Sequence, residues 1–229
     1  MKEIYHLKRY FIISLALFVG FINLNAQEEE ASSSFDAGAD IVSNYIWRGS
    51  KFGTGPAIQP YVEFSTGNLA IGSWGSFGIT DNESPEADLY LSYGFDFGLS
   101  VGITDYYFPG SNYFDYSTES GSHGFEVNLG YETGGFSLGA NYMLNEAPGA
   151  GTAGGDMYFE LGYSFETVSL FVGGGDGWHT TTGDFALTNI GLSVSKELEI
   201  SETFSLPLSG AVILNPETEQ FYVVVGVSF

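Results

Sequence analysis

A strict period of two runs through most of this chain, and it limits the fold more than any other feature. In "FEVNLGY", Phe125, Val127, Leu129 and Tyr131 alternate with Glu126, Asn128 and Gly130. "ADLYLSYGF" (87–95) and "MYFELGYSF" (157–165) alternate in the same way. Side chains on a strand point to opposite faces in turn, so each segment predicts a strand with one apolar and one polar side. About twelve segments follow the pattern, over roughly 35–48, 56–65, 69–78, 86–95, 99–108, 124–132, 136–145, 156–165, 168–175, 186–195, 204–214 and 220–229.

The connections alternate too. "STGN" (65–68), "DFG" (96–98), "ETGG" (132–135) and "ET" (166–167) read as tight turns. Longer Gly-rich polar loops lie between them at 49–55, 79–86, 109–123, 146–155 and 176–184. Only "KELEISET" (196–203) is longer than its place on the short-turn side predicts. Short turns at one end and long loops at the other, with an even number of strands, predict an all-β, up-and-down antiparallel transmembrane barrel in a bacterial outer membrane. A soluble β-sandwich also alternates, but its polar face would mix Lys with Glu. Here that face is Gly, Ser, Asn and acid.

The first 26 residues follow no such rule. Lys2, Lys8 and Arg9 precede the apolar run "YFIISLALFVGFINL" (10–24), and Ala26 supplies a small residue for cleavage. This predicts a secretory signal peptide (1–26), then a short polar segment (27–34) and a barrel (35–229). The expected destination is the outer membrane of a Gram-negative bacterium. Of 28 acidic and 6 basic side chains, Glu3, Lys2, Lys8 and Arg9 belong to the leader, which leaves 27 and 3. So acidic a chain is not expected to bind nucleic acid, because phosphate contacts need Lys and Arg. With no Cys, disulfides, thiolate metal sites and a lipid-modified N-terminus are excluded.

Parity assigns the faces. Asp36, Asp40, Asn44, Arg48, Glu63, Glu86, Asp88, Glu126, Asp156 and Glu160 are expected to line the interior. A lipid-facing charge at mid-depth costs roughly 2–4 kcal/mol for Lys or Arg and less for acids. An acidic lumen concentrates cations and repels anions. Arg48, the single inward base expected, is placed near the outer mouth, where it could equally pair with an acid or act as a filter. Aromatics at strand ends predict two girdles. Phe64, Tyr93, Phe95, Tyr131, Tyr163, Phe165 and Phe229 form one, and Tyr45, Trp47, Tyr142 and Phe221 the other. Pro60 falls on the lipid face and cannot donate to the ladder, so a bulge or a break in pairing is expected there. Asp105 shares parity with Leu99, Val101 and Ile103 and is tolerable only beyond the membrane. Trp74 could point either way. The loop at 109–123 is long enough to fold in and narrow the lumen.

The order "SNYIWRG" (43–49), "PAIQ" (56–59), "GNLAIGSWGS" (67–76) and "EADLYLSYGF" (86–95) resembles the TorF-type porin family, as does the ending "LPLSGAVILNPETEQFYVVVGVSF". That resemblance implies an outer-membrane barrel acting as a porin, and it carries no catalytic residues. Pro60 and the scarcity of Lys and Arg depart from the family pattern.

Other chemistry is weaker. Asp81, Glu83, Glu86 and Asp88 could offer oxygens to Ca²⁺, but their spacing fits no specific loop and they read better as solvated. His179 in "DGWH" reads as a surface residue, and "GGGDG" (173–177) lacks the Lys-Ser/Thr of a phosphate loop. Two His, 123 and 179, remain beyond the leader, both in predicted loops, so no enzyme, resident metal or cofactor is expected. The expected function is passive diffusion of small cationic or neutral solutes. The alternative is a closed barrel whose loops at 109–123 and 176–184 bind a ligand or partner. Expected partners are outer-membrane lipid, small solutes and, through the terminal strand "FYVVVGVSF" (221–229), the outer-membrane assembly machinery.

Overall fold

The computed structural model describes residues 33–80, 85–201 and 204–229. The leader, residues 27–32 and the acids Asp81 and Glu83 lie outside these residues.

Twelve antiparallel strands close into a barrel. They are β1 (Ser33–Val42), β4 (Ala57–Thr66), β5 (Leu69–Gly78), β6 (Glu86–Gly94), β7 (Leu99–Tyr107), β8 (His123–Thr133), β9 (Phe136–Met143), β10 (Met157–Phe165), β11 (Val168–Gly175), β12 (Ala186–Ser201), β13 (Phe204–Asn215) and β14 (Gln220–Ser228). Each neighbours the next in sequence, and β14 returns to β1 through Asp40↔Ser228, Ile41↔Val227 and Val42↔Gly226. Phe229 and Ala39 exchange backbone N–H···O bonds of 3.0 and 3.3 Å. Closure leaves no edge to present bare peptide groups to hydrocarbon.

The outer face is an apolar belt. Ile58, Val62, Leu89, Leu91, Leu129, Leu138, Leu161, Leu170, Val223 and Val225 are all exposed there. At the short-turn end Phe64, Tyr93, Tyr131, Phe165 and Phe229 are exposed, Tyr163 packs against Phe136 at 4.6 Å, and Phe95 packs against Tyr93 at 5.0 Å. Tyr142 and Phe221 are exposed towards the other end. Continuous exposed apolar surface on a closed barrel has one stable solvent, the bilayer.

Several details depart from the sequence reading. The first wall strand stops at Val42 rather than near 48. Ser43 ends it: its N–H donates to Val225 O at 2.8 Å, and its Oγ accepts from Val225 N at 3.0 Å. Asn44 therefore sits half-buried in a bend, not on the wall. Next comes a two-stranded hairpin, β2 (Tyr45–Trp47) and β3 (Ser50–Phe52), separate from the wall sheet. Tyr45 and Trp47 are buried inside the barrel at 7% and 5% exposure, so neither belongs to an outer girdle. Once the wall strand has ended at Ser43, the consecutive apolar residues of "YIW" pack on both sides inside the barrel, as a strand buried on both faces allows. The anomalous "KELEISET" is mostly strand, because β12 runs to Ser201 and its ladder with β13 continues to Ser201↔Phe204.

Pro60 behaves as expected of a residue without an N–H. The β4–β5 ladder has rungs at Ile58↔Phe77 and Tyr61↔Trp74 and none between, with no change of register. Gln59 Nε2 spans the gap to Ser76 Oγ at 3.2 Å.

Candidate functional site

The hairpin turns at Arg48-Gly49, both with positive φ (51° and 83°), the two-residue turn that suits the twist of a hairpin. Its tip is clamped to the wall. Arg48 O accepts from Thr188 Oγ1 and Gly49 O accepts from Asn215 Nδ2, both at 3.0 Å. A Cβ at Gly49 would lie 1.8 Å from Thr188 O, so only Gly fits this approach. The receiving wall is shaped for it. Between Gly173 and Gly174 the β11–β12 register shifts, and the bulge leaves Thr188 and Asn189 both fully buried. A bulge re-aims side chains in this way.

Arg48 carries the charge of the hairpin into the lumen. Its two terminal nitrogens reach Glu126 Oε2 at 2.6 Å and Oε1 at 2.8 Å. Its guanidinium lies 4.4 Å from the Trp47 ring centroid and 4.6 Å from that of Tyr158. A bidentate pair held between two aromatic faces is a strong, geometrically specific anchor. Glu126 also accepts from Tyr106 Oη at 3.0 Å and Asn128 Nδ2 at 2.6 Å.

A second loop closes over it. The turn Gly177–His179 folds inward, and Trp178 packs 5.2 Å from Trp47. Contrary to the surface reading, His179 is buried. Its Nε2 accepts from Trp178 Nε1 at 2.9 Å and lies 3.4 Å from Arg48 Nη1. Burial, and then the Arg48 charge, hold this imidazole well below its ordinary pKa, so it is neutral. Around both elements Trp74, Tyr106, Met143, Phe171, Ile213 and Val224 form one packed core inside the barrel. Trp74, whose orientation the sequence left open, points into this core.

The acids expected to face inward divide into two sets. Glu86, Asp88, Glu126 and Glu160 are buried at the level of the core. Glu160 accepts from Tyr158 Oη at 2.6 Å and Asn189 Nδ2 at 2.7 Å. Asp156 precedes β10 and is held by Thr152 Oγ1, so it braces a loop. Asp36, Asp40 and Glu63 are only half-buried. They sit towards the short-turn end among small residues such as Gly38, Ser92, Ser100 and Ser137. Tyr90 Oη donates to Glu63 at 2.9 Å, and Tyr61 Oη to Asp36 at 3.4 Å. The lumen is thus packed at the long-loop end, with half-buried acids below the core.

Two further features were not legible in the sequence. His123 is not in a loop but begins β8, on the outer face, where its Nδ1 meets Asp105 Oδ1 at 2.9 Å. The loop at 109–122 folds outward over this pair instead of narrowing the lumen. Tyr113 O contacts His123 Nε2, and the Tyr116 ring stacks 4.5 Å from the imidazole. Asp105 on the lipid parity is therefore shielded by a cap of aromatics. Among the described residues no group of three or more His, Asp or Glu is placed to hold a metal ion.

A family model described as "Bacterial protein of unknown function (Gcw_chp)" matches residues 26–206. No curated protein matches the chain. Two solved structures are similar. One is the Salmonella typhi outer membrane phospholipase dimer with bound calcium, at TM-score 0.42 and 13% identity, with 84% of this chain and 88% of that one covered. The other is outer membrane phospholipase A from Escherichia coli, at TM-score 0.42 and 11% identity, with 89% and 92% covered.

Proposed function

The chain belongs to the Gcw_chp family of bacterial proteins of unknown function, and we propose that it is a gated, porin-type diffusion channel of the outer membrane for small cationic or neutral solutes. The TorF-type resemblance of residues 43–95 points the same way. With the short turns facing the periplasm, the half-buried Asp36, Asp40 and Glu63 form a vestibule open to that side, and the hairpin seals the other. The observation that carries the reading is the charge of the lumen. Among the described residues Arg48 is the one Lys or Arg with an inward side chain, and it is taken up by Glu126. The vestibule acids keep a negative field that draws cations.

Reconstitution in a planar bilayer under a KCl gradient tests this. Brief, low-occupancy openings with a cation-selective reversal potential are expected. Silence under all voltages, or anion selectivity, would sink the channel reading. One observation favours a second reading, a closed barrel that binds through its loops: Val224, Ile213 and Met143 inside the lumen are 0% exposed. A silent bilayer together with ligand binding that is lost on shortening the loops at 109–122 or 176–185 would favour that alternative.

A further inference from the structure

Within the seal, one pair of acids lacks a counter-charge. Glu86 and Asp88 lie two residues apart on the inward face of β6, with Cα atoms about 7 Å apart at strand rise. Both are buried, Asp88 to 1% exposure. Glu86 receives the Tyr45 hydroxyl at 3.3 Å. Neither Asp88 carboxylate oxygen has a partner in good hydrogen-bond geometry; its polar neighbours are the Glu86 carboxyl and the Tyr107 amide. Arg48 is committed to Glu126, and Lys51 and Lys196 are exposed. A buried carboxylate left without a counter-charge costs several kcal/mol, so either a proton or a cation must answer this charge. The Glu86 carboxyl lies within hydrogen-bonding reach of Asp88, so a proton shared by the pair is the alternative to a bound cation, and it would give no sensitised emission in the titration below.

We propose that Glu86 and Asp88 hold a hard divalent cation of the Ca²⁺ class inside the barrel. Two carboxylates match its charge, and oxygen ligands match its chemistry. Neighbouring hydroxyls and water complete the shell. Ser76 lies directly across the β5–β6 ladder from Glu86, and Tyr45 comes from the hairpin above. With two carboxylates rather than a cage of three or more, affinity falls in the weak extracellular range, on the order of 10⁻⁴–10⁻³ M. The ion would tie the hairpin to the wall through Tyr45. The site does not depend on whether the barrel conducts.

Trp74 is the ladder partner of Asp88, so a terbium ion bound here would be sensitised by its indole. The refolded full barrel is titrated with Tb³⁺ under tryptophan excitation, and Ca²⁺ is then added. Saturable emission is expected, displaced by millimolar Ca²⁺. Glu86→Gln/Asp88→Asn should weaken it at least tenfold, and Trp74→Phe should dim it. Asp81→Asn/Glu83→Gln, earlier in the sequence, should leave it intact. As a second readout, Ca²⁺ should raise the temperature at which the folded gel band is lost in wild type and in Trp74→Phe, but not in the double variant. Asp88→Asn alone serves if the double variant does not fold. No sensitised emission from wild type, emission that survives Glu86→Gln/Asp88→Asn, or emission lost instead in the Asp81→Asn/Glu83→Gln variant would each overturn the proposal.

Discussion

Gly173 and Gly139 both face the lumen. A Cβ added at the first would lie 2.2 Å from the Tyr158 hydroxyl, while at the second it would meet nothing closer than 4.0 Å. The same wall encloses both positions, built from strands with the same alternation. What differs is the contents. Around Gly173 the hairpin and the Gly177–His179 turn complete a core with interior packing. Gly139 and Gly173 pair with the same Glu160 from opposite sides of β10, and a Cβ at Gly139 would meet only the backbone oxygen of that residue. A twelve-stranded wall does not by itself decide whether its lumen is solid or hollow. Eight strands can be filled by wall side chains and sixteen cannot. At the intermediate size, a chain segment that leaves the wall makes the difference.

The difference between the two halves can be broken by mutation. Replacing residues 45–52 by a Gly-Ser linker removes the seal and leaves the wall. Single-channel recordings should then show a persistent conductance severalfold above wild type, with folding intact by heat-dependent gel mobility. An unchanged conductance would mean that the hairpin is not the barrier. Arg48→Ala should act in the same direction with less force. It leaves Glu126 buried and unpaired at a cost of roughly 3–5 kcal/mol, read as a rise in open probability. Adding Glu126→Gln should restore much of the closed state.

Acid should loosen the seal more gently. The folded-state pKa of His179 is depressed, so the docked form resists a proton that the undocked form accepts below about 6.5. Docking is thus fully favoured above that pH. It weakens by up to about 1.4 kcal/mol per unit as the pH falls below it. Open probability should rise below pH 6.5 in wild type, and His179→Phe should flatten that dependence. The smallest effect belongs to the vestibule. Asp36→Asn/Glu63→Gln should move the reversal potential part of the way towards zero, most visibly at low salt, and leave the seal unaltered. A change in open probability instead would show that the two halves are coupled.

Much of this was readable in advance, for a definite reason. In lipid a one-residue slip would turn an entire strand's apolar set inward, so alternation is enforced along every wall strand. Strands over 69–78 and 168–175 coincide with their expected bounds. The effect of Pro60 could be foreseen because a missing N–H is a local property. The hairpin was misread because Tyr45 and Trp47 happen to continue the lipid parity of Phe35 and Ile41. One local signal spoke against that assignment: Arg48-Gly49 as a two-residue turn. His123 was misplaced because it sits on the lipid face, where an imidazole is acceptable only under a cap. That cap is made by Tyr113 and Tyr116, ten and seven positions earlier in the chain.

By itself the sequence determined the wall: its all-β antiparallel class and its strand number. Alternation and turn length are local, and a bilayer leaves them little freedom. Tertiary structure alone decided that the segment after Val42 dives into the lumen, that Arg48 meets Glu126 seventy-eight residues away, and that Asp88 is left without a counter-charge. Those outcomes depend on which groups the closed barrel brings to one depth. Strand tilt and register set that depth across the whole cylinder, and no single segment encodes it.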